Sequence, residues 1–294
     1  MDNEKSNDAI YASMVGTCIL SVIGSIFVIS AYILFKELRA FAFKLVAYLA
    51  FADMCSALVY MIPWKVSDPL CQFQASVSLY FDLSGVLWSN IIAHALYSAV
   101  IRHKPIELYH TKYLIYAFTI PIIPAVIPFI SNDYGSSGAW CWISGTSVYQ
   151  NLEKYFLFYI PMWFVLIYNA VVYLKVIRKI KNEADIGSRE NKLKRKLVRK
   201  LKLYPIIFLI CQVPVTIYRV WGTIKELDWT DYDPDDSFWI LWIAAVSMCS
   251  NGALNSIAYG LTGVVKKKLR EVICRRKKNP LEDSMMYDIV KEEI

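Results

Sequence analysis

Seven apolar stretches, at about residues 10–35, 42–64, 72–101, 113–130, 155–177, 203–224 and 238–263, confine this chain to a membrane fold. At ~1.5 Å per helical residue, about 20 apolar residues cross a hydrocarbon core of about 30 Å, and most of the seven are long enough. The fourth is the shortest and holds Pro121, Pro124 and Pro128, which a membrane helix tolerates where the released carbonyls find other partners. Of 294 residues, 56% are hydrophobic and 19% charged, too apolar for an ordinary soluble domain. The expected fold class is an all-α membrane protein, a seven-transmembrane helix bundle. It divides into an extracellular tail over 1–9, a transmembrane domain over 10–263, and a short interfacial eighth helix with a cytoplasmic tail over 264–294.

The net charge of +7 would suit a nucleic-acid partner if it formed one patch, but the charges alternate across the membrane. Segments 36–44, 102–112, 175–202 and 264–294 hold 3, 3, 12 and 9 of the 32 Lys and Arg. The other side holds only Lys5, Lys65, Lys154 and Lys225, and Arg219 lies within a span. The basic side is cytoplasmic by the positive-inside rule, so the N-terminus is outside and the C-terminus inside, as an odd number of spans requires. The acidic leader MDNEKSNDA lacks the basic start of a cleavable signal, so the first helix is expected to act as its own insertion signal.

Residues 71–102 read as the central helix. Asp82, Trp88, Asn90 and His94 along it require protein or water around them, which a lipid-facing helix would not supply. Of the seven cysteines, Cys18, Cys55, Cys211 and Cys249 lie within spans as small apolar fillers. Cys71, at the start of the central helix, and Cys141, in AWCWISG (139–145), fall on the oxidising outer side and are expected to form a disulfide. The outer loop 131–154 then becomes a lid, beginning with turn chemistry in SNDYGSSG.

Several polar residues sit where burial is costly. Asp53, deep in the second span, is expected to form one activation network with Asn251 and Asn255 of the seventh span, with Trp88 nearby. Arg219, about 8 Å below the outer end of the sixth span, is the expected contact for an anionic ligand, because its planar fork suits a carboxylate or phosphate. The alternatives are snorkelling to headgroups or an ion pair with Asp82. Lys65, Asp82 and Trp142 complete the expected ligand site. The acidic outer loop from Glu226 to Asp236 fits no EF-hand spacing, and no metal or cofactor is expected.

On the inner side, KLKRKLVRKLK (192–202) spaces leucine and valine among cations as an amphipathic helix. Lys194, Arg195, Arg199, Lys202 and Arg102 are expected to meet a cytosolic partner or the anionic leaflet. Pro214 provides a bend about which the inner half of the sixth span could swing. Cys274 is a palmitoylation candidate and Ser284 is available to a kinase. A retinal protein needs a lysine in the last span, and 238–263 has none. An enzyme is disfavoured, since His94, His103 and His110 form no metal-ligand pairing. A transporter or channel using Asp53, Asp82, His94 and Arg219 as a polar pathway is the main rival.

The order of spans, the outer disulfide and the interfacial helix resemble a G protein-coupled receptor. Within that class, AWCWISG, FLFYIPMWF (156–164), VLWSNIIAHALY (86–97), the Tyr-Arg-Val run around Arg219 and SNGALNSIAYGL (250–261) resemble the cyclic AMP receptor-like family of slime-mould type, over about residues 35–265. The acidic-Arg-Tyr signature of rhodopsin-like receptors is missing, and Arg102-His103-Lys104 occupies its place. The resemblance implies a multi-pass plasma-membrane receptor that responds to an extracellular ligand, left open by the motifs, and activates a heterotrimeric G protein. It implies no enzyme activity and no nucleic-acid partner.

Overall fold

The computed structural model describes residues 3–104, 107–145, 147–182, 203–228 and 234–260, with Thr262, Val265, Lys266 and Lys268 beyond them. Lys194, Arg195, Arg199, Lys202, Cys274, Ser284 and nearly all of the expected eighth helix lie outside the described residues.

The chain passes through the bundle as α1 (Asn3–Leu34), α2 (Phe41–Tyr60), α3 (Asp68–Val100), α4 (His110–Thr119) with α5 (Ile122–Ile130), α6 (Val148–Lys154) running into α7 (Ile160–Asn182), α8 (Leu203–Asp228), and α9 (Pro234–Cys249) with α10 (Asn251–Gly260). Six passes are long and apolar enough to span a membrane, and the bent pair α9–α10 makes the seventh. The third is the centre: 72% of its apolar window is buried, against 28% for the first, fourth and sixth. The first helix begins at Asn3 rather than near residue 10, so most of the expected outer tail is helical. Glu4 in its first turn favours the positive end of the helix dipole. Glu4 and Asp8 also pair with Lys65 after the second span.

Proline and serine set the breaks. The fourth pass divides at Ile120–Pro121, where Pro121 cannot donate a backbone hydrogen bond. The fifth carries a π-helical turn, Tyr155–Tyr159, that ends two residues before Pro161. The seventh, expected as one apolar stretch, bends by 47° at Ser250. There the Ser250 hydroxyl returns to Val246 O at 2.6 Å, a back-bond that favours bending.

Helix α1 seats this bend. The Ser21 hydroxyl donates to Cys249 O and accepts the Ala253 N–H at 3.1 Å, the two groups a continuous helix would pair with each other. Gly24 and Gly252 make the approach possible: a Cβ on Gly24 would overlap Ser256, and one on Gly252 would meet Ser21 O at 3.1 Å. Close backbone approach through small residues is the means of helix association in lipid, where burial of apolar surface gives little drive.

Over the outer end lies a hairpin of β1 (Tyr134–Ser136) and β2 (Cys141–Ile143), antiparallel with Ser136 opposite Cys141. Gly138 makes its turn at a φ of +84°, which costs glycine little. The WCW stretch thus runs from the turn into a buried strand, with Trp140, Trp142 and Ile143 all nearly inaccessible.

Candidate functional site

Two polar sites lie along the bundle axis, one beneath the hairpin and one deeper. The hairpin is fixed to α3 by the Cys71–Cys141 disulfide, whose Cα atoms are 5.4 Å apart. One turn further along α3, fully buried Gln74 accepts the Cys141 N–H at 3.1 Å. Its amide donates to Ile62 O at 2.9 Å and to Val59 O at 3.3 Å, so one side chain ties the lid to both α2 and α3.

Arg219 rises from α8 against this lid. Its guanidinium lies 4.9 Å from the Trp142 ring, 5.3 Å from Tyr218 and 5.6 Å from Trp140, a cage of π faces that attracts a cation. One terminal nitrogen donates to Ser137 Oγ at 3.0 Å, while Nε is buried without a partner. Among the described residues no carboxylate pairs with it. Arg219 and Trp142 are thus brought together, whereas the other two expected ligand residues lie elsewhere. Lys65 sits exposed at the outer end, where the hydrogen bond to Glu4 holds its ammonium above the usual lysine range. Asp82 is not the partner of Arg219. It accepts from Ser56 Oγ and from Tyr60 OH at 2.7 Å, because the face of α3 that carries it turns toward α2.

The deeper site is a cavity of about 30 Å³ shared by α2, α3, α8, α9 and α10. Asp53, Asp82, Gln212, Asn251 and Asn255 line it. At roughly 10–15 Å³ per water it has room for about two. Asn255 donates to Asp53 at 2.7 Å, which joins the second and seventh spans. The wall is short of donors: Gln212 Oε1, Asn251 Oδ1 and Asn255 Oδ1 are buried and accept nothing. It therefore suits water or a proton carried by a carboxyl, and its acceptors would be re-paired if a helix moved. Among the described residues, no group of three or more His, Cys, Asp and Glu is placed to hold a metal.

Trp88 stands outside this cavity. It is fully buried and stacks on Tyr48 at 4.8 Å, with Phe118 edge-on at 5.4 Å. Arg102 is exposed beyond α3, its guanidinium 5.3 Å from the Tyr97 ring. Sequence reasoning missed Gln74, Gln212, Ser56 and Tyr60. A glutamine one turn from Cys71, within the span and close to the disulfide, was the available signal for the first.

A model of the slime mold cyclic AMP receptor family matches residues 1–231, most of the chain. The chain belongs to that family. It is 29% identical over 265 residues to G-protein coupled receptor 1 of Arabidopsis thaliana, covering 87% of this chain and 79% of that protein. It is also 29% identical over 247 residues to Cyclic AMP receptor-like protein A of Dictyostelium discoideum, covering 82% of this chain and 61% of that one. Cyclic AMP receptor 1 of the same organism is 24% identical over 228 residues, and the match covers 57% of its length. Squid rhodopsin superposes over 100% of this chain and 93% of its own, with a TM-score of 0.71 at 13% identity, and so shares the seven-helix fold. Within the cyclic AMP receptor family the chain is a multi-pass plasma-membrane receptor of the G protein-coupled type.

Proposed function

We propose that this receptor senses a small anionic ligand from outside through Arg219 and passes the signal to a heterotrimeric G protein. The observation that carries the reading is the unpaired Nε of Arg219 under a disulfide-fixed lid, a cation matched by no carboxylate among the described residues. An anion bearing a phosphate or carboxylate takes the guanidinium fork with two parallel bonds. Its binding re-orders the lid and the outer half of α8. Gln212, two residues before Pro214 on the same helix, carries that motion into the Asp53–Asp82 cavity. At the inner face, Arg102 and the basic residues Lys194, Arg195, Arg199 and Lys202 meet the G protein or the leaflet that positions it.

Nucleotide exchange on a purified heterotrimer, measured with the receptor in vesicles, tests this with cyclic AMP as the first probe and a panel of phosphates and carboxylates beside it. Ligand-dependent exchange lost in Arg219→Ala supports the reading. Ion flux in the same vesicles without any exchange would replace it with a transport function.

A further inference from the structure

The lid has a second attachment that neither the disulfide nor Arg219 explains. Asp133, at the end of the fourth pass, and Glu153, in the last turn of α6, are both more than nine-tenths buried. Their carboxyl groups lie within hydrogen-bonding reach of each other. Each has one oxygen satisfied: Gln150 Nε2 donates to Asp133 Oδ1 at 2.7 Å, and Ser131 Oγ to Glu153 Oε1 at 3.0 Å. The other oxygens, Asp133 Oδ2 and Glu153 Oε2, are buried and receive no donor.

Among the described residues no cation hydrogen-bonds to either of these two oxygens. Lys154 of α6 directs its ammonium to Gly145 O at 2.7 Å and Asn151 Oδ1 at 3.1 Å. Tyr134 of β1 gives its hydroxyl to Ala125 O at 2.8 Å. Helix α5 contributes no titratable side chain, α3 approaches through Gln72, whose amide reaches Asn132 at 3.1 Å, and Cys141 of β2 is in the disulfide. Two like charges in such contact cannot both persist out of water.

We propose that Asp133 and Glu153 share a single proton, so that the outer lid is held to the start of the fifth span by a proton-dependent clasp. One carboxylic acid donates to the neighbouring carboxylate, satisfying both orphan oxygens at once. When the proton leaves to the outer solution, two carboxylates repel and α6 parts from the loop that begins at Asp133. The clasp is closed in acid and opens as pH rises, since the closed form binds one proton more than the open form. Outer pH then acts on the same lid that covers Arg219. The clasp rests on the buried carboxyl pair alone and stands or falls independently of the anion-sensing function.

The test uses full-length receptor in nanodiscs, with thermal stability recorded from about pH 4, near the ordinary carboxyl value, up to about pH 8, because a raised carboxyl pKa loses its stabilisation on the way up from there. The expected result is a wild-type stability that falls more steeply with rising pH than that of Glu153→Gln, whose amide donates to Asp133 without a proton to lose. Parallel profiles for the two proteins would overturn the clasp. Infrared spectra of the wild type give a second reading should the variant fail to fold. A protonated carboxyl band that disappears on alkalinisation and is absent from Asp133→Asn supports the shared proton, and its absence from the wild type at low pH refutes it. Calcium is added at high pH as a third arm. Stabilisation of the wild type but not of Glu153→Gln would assign the pair to a cation instead.

Discussion

The hydroxyl of Ser21 takes the N–H of Ala253 at 3.1 Å while giving its own hydrogen to Cys249 O, so the first helix completes the hydrogen-bond ladder of the seventh at its bend. The bend in turn directs Asn251 and Asn255 into the cavity of Asp53 and Asp82. Ser21→Ala leaves a buried carbonyl and a buried N–H without that partner. A loss of about 1–3 kcal/mol is expected in thermal unfolding, with altered basal nucleotide exchange. Unchanged stability would mean that the helix straightens and re-pairs by itself.

Gln74→Leu removes the acceptor of the Cys141 N–H and the donor to Val59 and Ile62 at one stroke. About 1–3 kcal/mol of lost stability follows from the stranded groups. Cys71→Ser with Cys141→Ser is expected to cost more, about 2–5 kcal/mol by analogy with small disulfide-bonded domains. Unfolding of the two variants in the same micelle orders the two contributions, and mass spectrometry of non-reduced peptides checks the disulfide directly.

Gly24→Leu drives a side chain into Ser256 and the Gly252 carbonyl. Overpacking of this kind costs about 1–3 kcal/mol, and surface expression should fall. Gly16, with nothing near its added Cβ, provides the control: Gly16→Leu should leave expression unaltered.

Asp53→Asn keeps the size of the side chain and replaces the carboxyl that accepts from Asn255 at 2.7 Å. Stimulated exchange should change while expression persists, since the proposed coupling re-pairs the cavity's acceptors between receptor states. A shift of 5.5 kcal/mol moves a population from about 1:99 to 99:1, so a change of a few kcal/mol in this cluster suffices. Asp82→Asn is the comparison: its amide keeps one acceptor where Ser56 and Tyr60 now use two carboxylate oxygens, so one of the two hydroxyls must turn to accept from the amide N–H.

Arg219→Lys retains the cation but loses the fork and the guanidinium that lies 4.9 Å from the Trp142 ring. Agonist potency should fall by about tenfold or more, equivalent to ~1.4 kcal/mol, with folding little affected. Equal potency in both proteins would remove Arg219 from the ligand site.

The number of spans, the central position of the third and the outer disulfide were legible in the sequence. Each is fixed by a property that adds up along the chain: apolar length, the polar residues the third span carries, the pairing left to Cys71 and Cys141 once the cysteines within spans are set aside. The pairing of Asp53 with Asn255 was legible for a related reason, since polar groups deep in lipid must find one another. What the sequence left undecided was rotation and register. Whether Asp82 faces Arg219 or Tyr60 depends on a few tens of degrees about the axis of α3, and no residue type along a fully surrounded helix records that angle. The same holds for Gln74 beneath Cys141, for Ser21 against the bend at Ser250, and for Asp133 beside Glu153. These contacts join groups 20 to 232 residues apart. They exist only once packing through Gly24 and Gly252, the break at Ser250 and the π-helical turn before Pro161 have set how the helices meet.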